Sequence, residues 1–215
     1  MNKARPLIEA GRYMLTNHLA WGTSGNISIR LDTDNMLLTA SGTFMGNLLP
    51  EDFVEFNIHS AEYRGSKKPS KETPMHSEIY KRRSDIGAIL HSSPFYTTLI
   101  ACSNETILSN LFIETMYYLE NVAYVDYFHP GTSELAEAVS KQSCNANIVM
   151  MRNHGVTVFD DTLNDALMRL ETLEMACRMI ITAKSAGVEF NKIPDHVVSS
   201  FLEESRYKPR KKLII

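Results

Sequence analysis

The sequence predicts a single α/β domain with a mixed or antiparallel sheet. Helical and strand patterns alternate from Pro74 onward, as in an α/β fold. Before Pro74, alternating polar and apolar residues at 27–31 are followed by a turn and an apolar segment at 36–40, which is the pattern of a β-hairpin. No internal repeat, low-complexity linker or break in composition divides the 215 residues, so we expect one domain over 1–215.

The first third of the chain predicts one helix followed by short strands. Apolar residues recur at helical spacing over 6–20, and Pro6 suits the first turn of a helix. Glycine and small polar residues at 22–26 indicate a turn before the first strand. We expect one helical turn and a further strand within 50–57.

The remaining elements follow from apolar periodicity. We expect helices at 75–84, 95–102, 134–141 and 163–183, and strands at 86–90, 122–127, 147–151 and 156–159. The helix over 163–183 carries one long amphipathic stripe that stops before Gly187, which is typical of a core helix. Residues 188–215 form a predicted C-terminal tail with a basic stretch at 206–212.

Composition and charge exclude several classes of protein. Apolar residues make up 44% and charged residues 22% of the chain, which are ordinary globular values. Lys and Arg number 22 against 25 Asp and Glu, so the chain lacks the basic excess that a nucleic-acid partner requires. No apolar run approaches the length of a membrane span, and the first residues lack the apolar core of a signal peptide. Three cysteines without paired spacing suit a reducing compartment, so we expect a cytoplasmic protein with no membrane partner.

Two histidines and one glutamate lie at the ends of predicted elements, where sites are commonly built on a rigid sheet. His91 follows an apolar strand, His154 lies in a turn between two strands, and Glu72 lies in a polar loop that enters a helix. Two imidazoles and a carboxylate can converge on a divalent cation such as zinc. Each residue also has an ordinary interpretation, since a histidine at a strand end is commonly hydrogen-bonded and Glu72 could be exposed.

Three loops offer groups that bind a phosphate. Residues 23–26, 41–42 and 70–71 supply hydroxyls, backbone amides and one ammonium, which together can hold a phosphate dianion without a Walker loop. Each loop taken alone is better explained as an ordinary turn. Their combination favours a phosphate site, and we call them the phosphate loops.

An ordered set of short motifs resembles the class II aldolase and adducin family over residues 5–190. The motifs are Gly25-Asn26-Ile27-Ser28, Thr39-Ala40-Ser41-Gly42, Pro69-Ser70-Lys71-Glu72, His76, Ile89-Leu90-His91-Ser92-Ser93-Pro94, Gly131-Thr132-Ser133-Glu134-Leu135 and Asn153-His154-Gly155. The intervals of 19 residues from Glu72 to His91 and of 63 from His91 to His154 fit the family pattern without gaps.

The resemblance implies a three-layer α/β/α sandwich around a mixed, largely antiparallel sheet. It implies a divalent metal, zinc in particular, held by Glu72, His91 and His154, with Glu72 also shuttling a proton. It implies a homotetramer with sites at subunit boundaries, so the tail at 188–215 is expected at a subunit interface. The substrate is expected to be a small phosphorylated sugar whose phosphate contacts Thr23, Asn26, Ser41, Gly42, Ser70 and Lys71.

The chain departs from the family pattern at three places. Ser93 stands where the family has the second histidine of a His-x-His pair. The outcome is a weaker site completed by water, a substitute ligand from His76 or His129, or no metal, and we favour the weaker site. Lys71 replaces a serine, and it either strengthens phosphate binding or is a surface lysine.

The third departure concerns the catalytic acid. Phe112 occupies the position of the family's aromatic proton donor, and its side chain has no proton to give. We predict Glu114 and the tail residue Tyr207 as catalytic residues in its place. Tyr117 and Tyr118 are further candidates, although each is equally explained as a packed tyrosine.

The expected function is that of a metal-dependent lyase, which cleaves a short ketose phosphate by a retro-aldol reaction through a metal-stabilised enediolate. Two alternatives stay open. A dehydratase or decarboxylase of phosphorylated sugars fits the missing aromatic donor and the presence of Glu114. A non-catalytic binding domain, such as the adducin head, fits the missing ligand at Ser93, although it has no need for Glu72 and the two histidines.

Overall fold

The structure is a computed structural model that describes residues 3–204 and Tyr207. Its strands are β1 (Asn26–Arg30), β2 (Asn35–Thr39), β3 (Phe53–Asn57), β4 (Tyr63–Arg64), β5 (Ala88–Ser92), β6 (Val122–Val125), β7 (Ile148–Met151) and β8 (Gly155–Asp160). They form one eight-stranded sheet in the order β4-β3-β2-β1-β5-β8-β7-β6. Neighbouring strands are antiparallel except β6 and β7, which are parallel.

Seven α-helices lie within the described residues. They are α1 (Arg5–Thr16), α2 (Thr73–Arg82), α3 (Phe95–Ala101), α4 (Ile113–Tyr118), α5 (Ser133–Ser143), α6 (Leu163–Ala186) and α7 (Asp195–Glu204). Two short 3-10 helices, Met45–Asn47 and Pro50–Asp52, precede β3. None of these helices combines the length and the apolar character that a membrane span needs.

The helices cover both faces of the sheet. Helices α2 and α5 pack on one face, where Ile79 lies in the same apolar cluster as Ile89 and Phe159. Helices α1, α3, α4 and α6 pack on the other face, where Leu173 lies in the same cluster as Leu90. The neighbours Ile89 and Leu90 belong to opposite clusters because successive side chains of a strand point to opposite faces. The predicted three-layer α/β/α sandwich with a mixed, largely antiparallel sheet is confirmed.

The three central strands bring distant parts of the chain side by side. Asn26 of β1 pairs with His91 of β5, and His91 pairs with Thr157 of β8. Residues in such a row share a face of the sheet. The row lies on the face that α2 and α5 cover, because Ile89, two residues before His91, packs there.

Several elements differ from the sequence prediction. Strand β5 runs through Ser92, so His91 lies inside a strand rather than after it. Helix α4 was not predicted because its six residues are too short for a helical periodicity to be recognised. Helix α7 lies in the segment predicted as a tail, and none of its residues is fully buried, although Phe201 packs against the core cluster. The basic stretch at 206–212 lies outside the described residues except for Tyr207.

Candidate metal centre

Glu72, His91 and His154 reach one point from three separate elements. Glu72 immediately precedes α2, His91 lies in β5, and His154 lies in the turn between β7 and β8. The turn is tight: Asn153 has a left-handed φ of 56°, and the backbone N–H of His154 donates to the carbonyl of Met151 at 3.2 Å. The helix start and the turn therefore bring a carboxylate and an imidazole to the row that contains His91.

The three side chains form a compact cluster. Glu72 Oε2 lies 2.9 Å from His91 Nε2, and Glu72 Oε1 lies 3.3 Å from His154 Nε2. The two imidazole rings meet edge to face with their centroids 4.9 Å apart. One ligand atom from each residue lies within 4.8 Å of the other two, a spacing that a single cation can bridge.

Hydrogen bonding in the cluster fits a divalent cation. His91 Nδ1 donates to the carbonyl of Val156 at 3.0 Å, so Nε2 is the ring nitrogen that would face a cation bound beside Glu72. Glu72 Oε1 and His154 Nδ1 are buried and have no hydrogen-bond partner among the described residues. A buried carboxylate oxygen without a partner is rare and calls for a ligand. Two imidazoles, one carboxylate and an open position are also the donor set of many catalytic zinc sites.

Charges within the cluster stabilise one another. Burial opposes the charged form of Glu72, but the two histidines outweigh it and hold the pKa of the carboxyl well below its usual range. Burial also disfavours charge on His91, but the carboxylate of Glu72 raises the pKa of this imidazole. The same negative charge that favours a proton on His91 would attract a cation, with which that proton competes.

Ser93 does not join the cluster. Its hydroxyl donates to the carbonyl of His154 at 3.3 Å and lies 3.3 Å from the hydroxyl of Ser24. The structure also places neither proposed substitute in the cluster: both ring nitrogens of His76 are hydrogen-bonded elsewhere, and His129 is exposed. Within residues 3–204 and Tyr207, the cluster therefore has three protein donors.

A polar cavity of about 480 Å³ opens beside the cluster. The phosphate loops at 41–42 and 70–71 lie side by side. Ala40 forms a β-bridge with Pro69, and the N–H of Ser41 donates to the carbonyl of Lys68 at 2.9 Å. The cavity is lined by all nine predicted phosphate and metal positions, namely Thr23, Asn26, Ser41, Gly42, Ser70, Lys71, Glu72, His91 and His154.

Gly25 has to be a glycine for the cavity to have this shape. Its φ is +95°, and an added Cβ would lie 2.6 Å from the carbonyl oxygen of His91. The turn before β1 therefore runs closer to the strand that carries His91 than any side chain permits.

Asn26 lines the cavity and is also hydrogen-bonded to the metal cluster. It is 6% exposed, and its Nδ2 donates to Glu72 Oε2 at 3.2 Å while its Oδ1 lies 2.6 Å from His76 Nε2. Burial together with the positive charge of His91 lowers the pKa of His76 to about 3, so this ring is neutral near pH 7. The Asn26 side chain thus contacts the metal cluster directly.

The two predicted acids lie away from the cavity of a single chain. Neither Glu114 nor Tyr207 belongs to its lining. The ring of Tyr207 packs against Tyr117 at 5.8 Å and against Phe201 at 5.9 Å between centroids. Their catalytic roles stay predictions.

The structure adds residues that the sequence reasoning missed. Trp21, Thr43 and Pro130 also line the cavity. Trp21 is 64% exposed, and its indole N–H donates to the carbonyl of Ser93 at 3.1 Å, which fixes the ring at the cavity. A tryptophan beside a phosphate loop is a weak sequence signal, because only the fold shows where the ring goes.

A comparison with known families gives one match over most of the chain. The family described as Class II Aldolase and Adducin N-terminal domain matches residues 5–181. The chain belongs to this family. The resemblance noted in the motifs is thereby confirmed.

Relatives within the family carry more than one activity. The chain is 31% identical over 177 residues to the L-fuculose phosphate aldolase of Methanocaldococcus jannaschii, covering 82% of this chain and 94% of the relative. It is 29% identical over 189 residues to the 3-oxo-tetronate 4-phosphate decarboxylase of Haemophilus influenzae, covering 86% and 89%. A solved structure of an L-fuculose 1-phosphate aldolase is similar with a TM-score of 0.76 and 28% identity, covering 91% of this chain and 92% of that one.

Proposed function

We propose that the protein is a metal-dependent lyase that cleaves a short ketose phosphate by a retro-aldol reaction, in the manner of an L-fuculose phosphate aldolase. One observation carries the proposal: Glu72, His91 and His154 share a single cavity with all three phosphate loops. A ketose phosphate has its carbonyl and its phosphate a few bonds apart, so it can reach both at once.

The phosphate loops would bind and orient the substrate. Ser41, Ser70 and Lys71 offer two hydroxyls and an ammonium at one side of the cavity. Anchoring the phosphate there holds the reacting carbons beside Glu72, so binding energy from a non-reacting group lowers the barrier to cleavage.

Glu72, His91 and His154 would hold a divalent cation, with zinc as the expected metal. Bound there, the cation supplies a Lewis acid for the substrate oxygen that gains negative charge as the carbon–carbon bond breaks. Glu114 and Tyr207, from a neighbouring copy in a homotetramer, are proposed to handle the proton that the substrate hydroxyl loses as it becomes the aldehyde carbonyl. The carboxylate of Glu72 lies beside the reacting carbons, and after taking up a proton from solvent it would pass that proton to the carbon from which the aldehyde has departed.

A decarboxylase or dehydratase acting on a phosphorylated sugar acid is the second candidate. It is favoured by the similarity to the 3-oxo-tetronate 4-phosphate decarboxylase and by Phe112, which stands where the family has its aromatic proton donor. Phosphate anchoring and Lewis-acid assistance serve this chemistry equally well.

Metal content and product analysis together test the proposal. Protein purified without chelator and then loaded with Zn²⁺ should hold one ion per chain and release an aldehyde and dihydroxyacetone phosphate from a ketose 1-phosphate. Glu72→Gln should lower the rate by about 100-fold or more. The matched variant Ser93→His should bind Zn²⁺ more tightly, because it restores a fourth donor.

Three other results would contradict the proposed lyase. Release of carbon dioxide instead of an aldehyde by metal-loaded protein would favour the decarboxylase, and loss of water would favour the dehydratase. If wild type holds no metal while Ser93→His binds one ion per chain and gains cleavage activity, the protein is a non-catalytic binding domain.

A further inference from the structure

A chain of buried side chains leads from helix α2 to the carboxylate of Glu72. The hydroxyl of Tyr80 lies 3.0 Å from Ser28 Oγ, and Ser28 Oγ lies 2.7 Å from His76 Nδ1. His76 Nε2 lies 2.6 Å from Asn26 Oδ1, and Asn26 Nδ2 lies 3.2 Å from Glu72 Oε2. Every member is buried, and His76 and Ser28 are fully so.

The spacing of two elements produces this chain. His76 and Tyr80 are four residues apart on α2, a rise of about 6 Å. Asn26 and Ser28 are two residues apart on β1, a rise of about 6.6 Å, so both point to the face that α2 covers. The helix and the strand therefore interleave their polar side chains in the order Asn26, His76, Ser28 and Tyr80.

The carboxylate at one end sets the direction of every bond. Glu72 only accepts when ionised, so Asn26 presents its NH₂ to Glu72 and its carbonyl to His76. That carbonyl needs a donor, which places the single proton of the neutral His76 ring on Nε2. His76 Nδ1 then accepts from Ser28, and Ser28 accepts from Tyr80. All four donors point towards Glu72.

We propose that His76 is a positioning residue: through Asn26 it holds the Glu72 carboxylate in the orientation that a cation needs. Oε2 is fixed by the N–H of Asn26, and Oε1 is left without a hydrogen bond, 3.3 Å from His154 Nε2. One N–H of the Asn26 amide is therefore used by Glu72, and only the second N–H is available to a phosphate. Carboxylate ligands of metals are commonly fixed by such outer hydrogen bonds.

This inference rests on the proposed function, because it assigns His76 a role towards the cation of that site. The orientation of Glu72 can nevertheless be read without substrate, from the affinity for Co²⁺ alone and from the protonation of the His76 ring. These two measurements separate a failure of the inference from a failure of the proposed lyase.

His76→Gln and His76→Asn introduce the same amide group at different distances from the backbone. His76→Gln places an amide NH₂ near the position of Nε2 and keeps a donor for Asn26. His76→Asn reaches only as far as Nδ1, so it keeps the contact with Ser28 and loses Asn26. Ser140→Ala is the stability control, because it removes a partly buried hydrogen bond that Arg82 of helix α2 donates to Ser140, and Ser140 does not line the cavity.

The readout is Co²⁺ affinity by visible absorption, together with ¹⁵N NMR of the His76 ring in metal-free wild type. His76→Asn should bind Co²⁺ about 10- to 100-fold more weakly than wild type, while His76→Gln and Ser140→Ala lose less than about tenfold. The NMR spectrum should show the proton on Nε2.

Several results would overturn the inference. Unchanged affinity in His76→Asn, equal losses in His76→Asn and His76→Gln, or a proton on Nδ1 in wild type would each remove the positioning role while leaving the proposed function intact. A wild type that binds no Co²⁺ would overturn the proposed function together with the inference.

Discussion

Gly25→Ala should destabilise the protein and loosen the metal cluster, and its neighbour Gly22 provides the control. Both glycines lie in the turn before β1 with positive φ values, +95° for Gly25 and +55° for Gly22. A Cβ at Gly22 would meet nothing within 4 Å, whereas a Cβ at Gly25 would lie 2.6 Å from the carbonyl oxygen of His91. The two substitutions thus share the conformational cost and differ in the contact.

The size of each effect follows from these geometries. A side chain in the left-handed region costs about 1–2 kcal/mol. Gly22→Ala should lose this amount of stability and no more, because its Cβ makes no close contact. Relieving a forced contact in a packed region adds about 1–3 kcal/mol, so Gly25→Ala should lose roughly 2–5 kcal/mol. The His91 backbone must also shift by about 0.4 Å, close to the tolerance of about 0.5 Å for a working site.

Thermal unfolding at fixed protein concentration measures the stability, and Co²⁺ titration measures the site. We expect Gly25→Ala to lose more stability than Gly22→Ala and to bind Co²⁺ more weakly, while Gly22→Ala keeps wild-type affinity. Equal losses of stability in the two variants, or unchanged Co²⁺ affinity in Gly25→Ala, would refute the close approach between this turn and His91.

Three further predictions concern the cavity and one ion pair outside it. Trp21 is the single tryptophan of the chain and lines the cavity, so inorganic phosphate or dihydroxyacetone phosphate should change its fluorescence emission in a saturable way. Fluorescence that stays unchanged with both ligands would contradict this placement. Lys71→Ala should raise the dissociation constant in that titration roughly 5- to 10-fold by removing a charged donor, while Lys81→Ala, which lies outside the cavity lining, should not. Burial disfavours the charge on Asp52, but its contact with Lys67 lowers the pKa of the carboxyl. The ion pair therefore stabilises the fold above about pH 4, and this stabilisation is lost as the pH falls through the pKa of Asp52 in the folded protein. Asp52→Asn should therefore unfold more easily than wild type at pH 7, and the difference should shrink as the pH falls below about 4. A pH-independent difference would show that the charge is not responsible.

Much of the fold could be predicted because its signals are local. Alternation at 27–31 and the apolar segment at 36–40 gave the hairpin of β1 and β2, and the stripe over 163–183 gave α6. Helix α4 was missed because six residues are too few to show a helical periodicity, and helix α7 was missed because it lies in a short segment where no residue is fully buried. Strand β5 extended beyond its predicted end because His91 and Ser92 pair with β8, a contact that propensity alone does not contain.

The sequence predicted which residues form the site better than it predicted the contacts between them. Residue types at the ends of elements indicated Glu72, His91 and His154, and the family spacing supported the same three residues. The polar groups of three loops indicated the phosphate site. The links between them depend on the register of β1 against β5 and on the angle of α2, so the contacts of His76 and Trp21 appear only in three dimensions. The role of Ser93 likewise depended on whether another imidazole came near, which the sequence leaves open.

The position of the metal cluster also bears on how firmly the whole sheet is held. Its three ligands come from a helix start, a central strand and a hairpin turn that are 19 and 63 residues apart along the chain. An ion bound by all three would be a removable cross-link between segments that otherwise meet through strand pairing, packing and the contacts of Glu72 with the two histidines. At a free ion concentration 100 times the dissociation constant, such a cross-link adds about 2.7 kcal/mol to the free energy of unfolding. A chelator should therefore lower the melting temperature even when no sugar phosphate is present.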